Sequence, residues 1–121
     1  MARVLVVDDE PAIRRVIARA LTAEGHVVRT AGDGGEALAL LEFAPADVVL
    51  TDLRMPGLDG VELGARLARD FAGTRVIVMS GSLDRGGTGA IRVPATAAAF
   101  LRKPFSLDEV VESVRRVSAT P

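Results

Sequence analysis

The run Asp47-Val48-Val49-Leu50-Thr51-Asp52-Leu53-Arg54-Met55-Pro56-Gly57-Leu58-Asp59-Gly60 decides the fold, because four apolar or β-branched residues lead straight into a carboxylate and then a turn. Val48 to Thr51 is too short for a helix and too continuously apolar for a half-exposed strand. It reads as a central strand of a parallel sheet. Pro56-Gly57 and Asp59-Gly60 then turn the chain. Taken alone, Asp52 either caps a following helix or meets something cationic or electrophilic. Asp59 is better placed to cap that helix, which leaves Asp52 for other work.

Working outward, Arg3-Val4-Leu5-Val6-Val7 is a second continuous apolar run, ended by Asp8-Asp9-Glu10. Pro11 suits the first turn of a helix, and Ile13, Val16, Ile17, Ala20 and Leu21 repeat as one apolar stripe that Gly25 stops. Asp9 or Glu10 can cap this helix. A cap needs one side-chain oxygen, however, and three consecutive acids repel one another unless a cation neutralises them. His26 to Thr30 reads as a shorter strand, with His26 a solvated loop or edge residue. The turn residues Gly32-Asp33-Gly34-Gly35 follow, then a helix through Leu38, Leu41 and Glu42. Beyond Gly60, the positions Val61, Gly64, Ala68 and Phe71, with Leu67 beside them, mark a third helix ending by Gly73. Val76 to Met79 is a fourth strand with Ser80 at its tip.

The segment from Gly81 to Ala90 is the least regular. Gly86, Gly87 and Gly89 oppose a helix, each costing up to about 1 kcal/mol relative to Ala, so a fourth helix here is short or irregular and Pro94 ends it. Gly86-Gly87-Thr88-Gly89 lacks the Gly-Lys-Ser/Thr ending of a phosphate-binding P-loop. Ala98 to Leu101 makes a weak fifth strand. Ser106-Leu107-Asp108-Glu109 is a capping box, with Phe105 and Val110 as its hydrophobic staple, and Val110, Val111, Val114 and Val117 supply the buried stripe of the last helix. Arg115 and Arg116 complement its dipole.

Composition narrows the chemistry. At 121 residues the chain fits one domain, 1–121, and its 49% hydrophobic and 26% charged residues match a globular protein. No apolar run is long enough to span a bilayer and no signal peptide is visible, so the cytoplasm is the expected location. Zero cysteines and a single histidine exclude disulfides, thiolate sites and histidine-rich metal centres. Only oxygen ligands remain, which favours a hard cation such as Mg²⁺. A net charge of -1 and the absence of Trp and Tyr offer no general attraction to nucleic acid or anionic membrane and no base-stacking platform.

Alternating strands and helices imply a parallel sheet with right-handed crossovers and helices on both faces. All strands then point one way, so Asp8, Asp9, Asp52, Ser80 and Lys103 meet at the carboxyl edge, where open α/β sheets bind ligands. Each has a plain explanation by itself: caps for the acids, a turn residue, a solvated charge. Together they suit attack by the Asp52 carboxylate on a phosphoryl group, with Mg²⁺ and Lys103 stabilising its oxygens and Ser80 donating a hydroxyl bond.

At these residues the chain resembles the receiver domains of bacterial two-component response regulators. The motifs are Val6-Val7-Asp8-Asp9-Glu10, Thr51 to Gly60, Met79-Ser80-Gly81 and Phe100-Leu101-Arg102-Lys103-Pro104-Phe105. The resemblance covers nearly the whole chain. It implies a three-layer flavodoxin-like (βα)5 fold with a five-stranded parallel sheet in the order 2-1-3-4-5. It also implies that Asp52 accepts phosphate from the histidine of a sensor kinase or phosphotransfer protein, and that Asp9, helped by Asp8, holds Mg²⁺ with Asp52 and the Arg54 carbonyl. Lys103 binds the phosphoryl group and its bond to Pro104 is expected to be cis. Ser80 and Phe100 form the switch, which presents a changed surface to a downstream protein or effector domain. A phosphorylation-dependent dimer is compatible with the family. Arg54 and Ser82 occupy positions that tune phosphoryl lifetime in relatives. Gly86, Gly87 and Gly89 depart from the family, where a regular helix is usual.

Two rivals are weighed against this switch. A phosphatase with an aspartyl nucleophile needs a second acid two residues after Asp52, where Arg54 stands. A degenerate receiver that binds partners without phosphorylation conflicts with the intact acids, hydroxyl and lysine. A nucleotide-binding module lacks a glycine fingerprint after the first strand. The cognate kinase, the output, and whether the receiver stands alone or belongs to a longer protein are left open.

Overall fold

The computed structural model describes residues 1–52, 60–80 and 97–119. Its elements run β1 (Arg3–Val7), α1 (Pro11–Ala23), β2 (Val27–Ala31), α2 (Gly34–Phe43), β3 (Val48–Asp52), α3 (Gly60–Asp70), β4 (Arg75–Ser80), β5 (Ala97–Arg102) and α4 (Leu107–Ala119). All paired strands are parallel, in the order β2-β1-β3-β4-β5. The flavodoxin-like order expected from the sequence is therefore found.

The continuous apolar strands are those with a neighbour on each side. In β1, β3 and β4 nearly every residue is buried, whereas the edge strands β2 and β5 are only partly covered. Side chains alternate between the two sheet faces. Val4, Val6, Val48, Leu50, Ile77 and Met79 pack with Ile17 and Leu21 of α1 and Val110, Val114 and Val117 of α4. Leu5, Val7, Val49, Val76 and Val78 pack with Ala37 and Leu41 of α2 and Leu63 and Leu67 of α3. Helices thus cover both faces, in three layers. At β5 the register shifts between Val76 and Ile77, where Ala97 and then Ala99 are the partners and Ala98 is passed over.

Several expectations are corrected. The acids after β1 do not cap α1 by side chain: Glu10 is the N-cap residue and makes no capping bond. Instead Asp8 Oδ1 accepts the Glu10 amide at 2.9 Å, an Asx turn that sets up the helix start. Gly34 and Gly35, read as turn residues, open α2, because Asp33 caps it through the Glu36 amide at 2.8 Å. First-turn amides lack intrahelical partners, so glycine costs little there. The buried face of α3 centres on Leu63 and Leu67, and Ala68 is exposed. His26 lies in the loop just before β2, as read, but is half-buried rather than fully solvated, and its Nδ1 accepts the Ala2 amide at 3.0 Å. Gly25, which ends α1, has φ 94, a left-handed value that glycine adopts freely. The irregular fourth helix expected within 81–95, Asp59 as the cap of α3, and Ser82 all lie outside the described residues. Among the described residues no helix is long and apolar enough to cross a membrane.

Candidate functional site

The site is assembled from the carboxyl ends of the strands. β3 ends in Asp52, which is 8% exposed, and the loop after β1 brings up Asp8, fully buried, and Asp9, exposed. One carboxylate oxygen from each of Asp8, Asp9 and Asp52 can be chosen so that all lie within 4.8 Å of one another. β4 ends in the buried Ser80, whose carbonyl accepts the Lys103 amide at 3.0 Å. That bond extends the β4–β5 ladder and places the lysine over the acids. Lys103 Nζ lies 2.9 Å from Asp52 Oδ2 and 3.6 Å from Asp8 Oδ2. The Lys103-Pro104 peptide is cis.

Charge and burial oppose one another here. Burial pushes the Asp8 carboxyl above its ordinary range, and the neighbouring charges of Asp52 and Asp9 push the same way. The Glu10 amide and the Lys103 ammonium pull it back only partly. For Lys103, burial alone disfavours the charged form. The hydrogen bond and charge of Asp52, with the charges of Asp8 and Glu10, outweigh it and carry the ammonium above its ordinary value.

Three carboxylates against one ammonium leave the cluster short of positive charge. Asp8 Oδ2 makes the point at atomic level, since it is buried with no hydrogen-bond partner. A buried carboxylate oxygen left unpaired is costly. An all-oxygen set around it fits a hard divalent cation such as Mg²⁺.

The structure places Asp8, Asp9, Asp52 and Lys103 side by side, and Ser80 at the end of the neighbouring strand with its backbone bonded to Lys103. Phe100 sits on β5 at the boundary of exposure, 36%. Arg54, whose carbonyl was expected among the metal ligands, lies outside the described residues. Sequence reasoning missed Arg14, which donates from Nη1 to the Asp8 carbonyl at 2.6 Å. It also missed an apolar groove beside Lys103, lined by Ala12, Ile13, Val16, Ile17, Pro104 and Phe105.

A flavodoxin-like sheet with an acid cluster, a hydroxyl and an amine at its carboxyl edge defines the class of protein. The sequence profile described as response regulator receiver domain matches residues 4–115, and the chain belongs to that family, the receivers of two-component phosphorelay systems. Transcriptional regulatory protein TcrA of Mycobacterium tuberculosis (strain ATCC 25618 / H37Rv) is 42% identical over 118 residues, which are 96% of this chain and 46% of that protein. DNA-binding transcriptional regulator NtrC of Salmonella typhimurium is 38% identical over 113 residues, 93% of this chain and 24% of its own length. The chain thus spans less than half of these curated relatives. Among solved structures, the receiver domain of the Francisella response regulator 1452 superposes with a TM-score of 0.84 at 32% identity, and 98% of each chain is covered.

Proposed function

We propose that residues 1–121 form one receiver domain that works as a phosphoacceptor switch, with Asp52 taking a phosphoryl group from a sensor kinase or phosphotransfer protein. The observation that carries this reading is the 2.9 Å contact of Lys103 Nζ with Asp52 Oδ2, at the rim of the acid cluster. An Asp52 oxygen attacks phosphorus, the bond from phosphorus to the donor histidine nitrogen breaks, and an acyl phosphate forms. Lys103 exchanges its carboxylate contact for the oxygens of the arriving phosphoryl group, where its charge offsets theirs. Ser80 donates its hydroxyl to one of those oxygens. Asp8, Asp9 and Asp52, with the Arg54 carbonyl, would hold Mg²⁺, which supplies charge neutralisation to acids and phosphate alike.

The groove on α1 gives the donor a seat. Val16 is 48% exposed there, and the apolar floor runs up to Lys103 and Pro104. A partner resting an apolar helix on it carries its phosphohistidine to the acid edge. Ser80 and Phe100 then transmit the change to a downstream protein or effector domain, by altering which conformer prevails. The chain acts as a switch and turns over its own phosphoryl group slowly.

The test is to add Mg²⁺ with acetyl phosphate or beryllofluoride and follow the Ser80 and Phe100 amides by NMR. The wild-type chain is expected to shift at both amides only when Mg²⁺ is present, and Asp52→Asn is expected to abolish the shift. A response that survives Asp52→Asn, or none at all, defeats the reading and favours a receiver that acts without phosphorylation. Rapid turnover of a small phosphate ester favours a phosphatase.

A further inference from the structure

Every polar atom of Asp8 but one is held by the fold. Its amide donates to Ala31 O at 3.1 Å, its Oδ1 accepts the Glu10 amide at 2.9 Å, and its carbonyl accepts Arg14 Nη1 at 2.6 Å. The remaining atom is the buried Oδ2, which has no hydrogen-bond partner and lies 3.6 Å from Lys103 Nζ. Three restraints on one residue fix the direction of the fourth group.

The Arg14 restraint is the unusual one. A guanidinium is best matched to a carboxylate, and acids lie close by, yet among the described residues Arg14 forms no ion pair and bonds a neutral carbonyl. It reaches that carbonyl from the first turn of α1, back to the loop that carries Asp8 and Asp9. On its other side it lies against the loop before α2, where a Cβ added to Gly32 would come within 3.2 Å of Nη1. That loop is itself fixed, since the Gly32 amide donates to Glu36 Oε1 at 2.7 Å. Arg14 thus lies between two loops at the carboxyl edge, half-buried, with an Nη1 donor on the backbone of an acid.

We infer that Arg14 is a positioning residue, which aims the Asp8 carboxylate at the cation site by holding the Asp8 carbonyl. The inference rests on the phosphoacceptor reading above. Arg14 touches neither the cation nor the phosphoryl group. It acts on the direction of a ligand, as groups behind metal ligands commonly do, and loss of such a group typically weakens metal affinity about 10- to 100-fold.

The experiment measures Mg²⁺ dissociation constants by isothermal titration for the wild-type chain, Arg14→Met, Arg14→Lys and Gly32→Val, with thermal midpoints in EDTA alongside. Arg14→Met is expected to bind Mg²⁺ about 10-fold more weakly. Arg14→Lys keeps one donor for one carbonyl and is expected to recover part of that loss, although both remove the guanidinium packing. Gly32→Val leaves Arg14 in place but crowds the end of its guanidinium at Nη1, and is expected to weaken Mg²⁺ in the same direction. Hydrogen exchange at the Glu10 amide, read without metal, is expected to quicken in Arg14→Met. Wild-type affinity in both Arg14→Met and Gly32→Val overturns the inference, and so does a lysine no better than methionine. If Arg14→Met fails to fold, Gly32→Val alone decides between these outcomes. A wild-type chain that takes up no Mg²⁺ overturns the phosphoacceptor reading itself, and this inference with it.

Discussion

Asp8 is buried, hydrogen-bonded through one oxygen and without a hydrogen bond at the other, and its carboxyl is pushed up by that burial. A carboxyl raised above its ordinary 3.8 holds its proton more tightly in the native state than in the unfolded one. Its contribution to stability is therefore full below pH 3.8 and is lost as pH rises through the native value. Lys103, also raised, has the same sign at the alkaline end, full below 10.5 and lost as pH climbs through its native value. In EDTA the wild-type thermal midpoint should therefore fall relative to that of Asp8→Asn as pH rises above 3.8. At pH 7 without metal the variant should be the more stable protein, and Mg²⁺ should reverse the ranking by favouring the chain that keeps its ligand. A midpoint-against-pH series, with and without Mg²⁺, checks both statements. The acids themselves were legible because each terminates an apolar run, so strand direction alone gathers them. Arg14 was not legible. Its partner is a backbone carbonyl six residues away, which no side-chain pattern marks, and on the helix it resembles any solvated cation.

At the level of elements, α4 shows what local sequence can and cannot specify. Its capping box forms as the sequence indicates, with the Glu109 amide donating to Ser106 Oγ at 3.1 Å and the Ser106 amide to Glu109 Oε1 at 3.2 Å. Both partners lie within four residues, so short-range chemistry suffices. Because α4 packs on α1 and on β5, a weakened start is felt by the whole sheet face. Ser106→Ala should cost about 1 kcal/mol, measured by urea denaturation, and Ser106→Asp should retain most of the stability. The far end of α2 is different. There Arg29, reaching from β2, donates to the carbonyl of Leu40 at 3.0 Å, which also accepts the Ala44 amide, and to that of Ala44 at 2.6 Å, just past the helix end. A contact between an edge strand and a neighbouring helix end depends on tertiary placement, and no spacing in the sequence announces it. The face of α3 was read only in part: Gly64 and Leu67 are buried and Phe71 packs on the core, whereas Ala68 is exposed and Leu63 was missed. A small residue such as Ala68 fits either face, and only packing against Val49, Val76 and Val78 selects the Leu63–Leu67 side.

For the molecule as a whole, stability and chemistry are drawn from different places. Two cores, one on each face of the sheet, hold the strands, while the acids, serine and lysine occupy the carboxyl edge. The sheet order was legible only through the family resemblance, whereas the continuous apolar run of Val48 to Thr51 marked β3 as a central strand, as befits a strand with a neighbour on each side. This division allows the two to be perturbed apart. Leu41, fully buried on α2, packs in the core on the α2–α3 face. Leu41→Ala should cost about 2–5 kcal/mol through lost burial and the cavity left behind, yet leave the Mg²⁺ dissociation constant of the folded chain unchanged. Binding to the native state alone then restores stability by mass action, by about 2.7 kcal/mol at a free Mg²⁺ concentration one hundred times that constant. Much of the lost stability should thus return on titrating Mg²⁺ into Leu41→Ala, read as a rise in the denaturation midpoint. The same titration of the double variant Leu41→Ala, Asp9→Asn should return far less, because the acid cluster proposed to hold the cation is impaired while the core defect is the same. An equal rescue in both chains would place the cation somewhere other than the cluster of Asp8, Asp9 and Asp52.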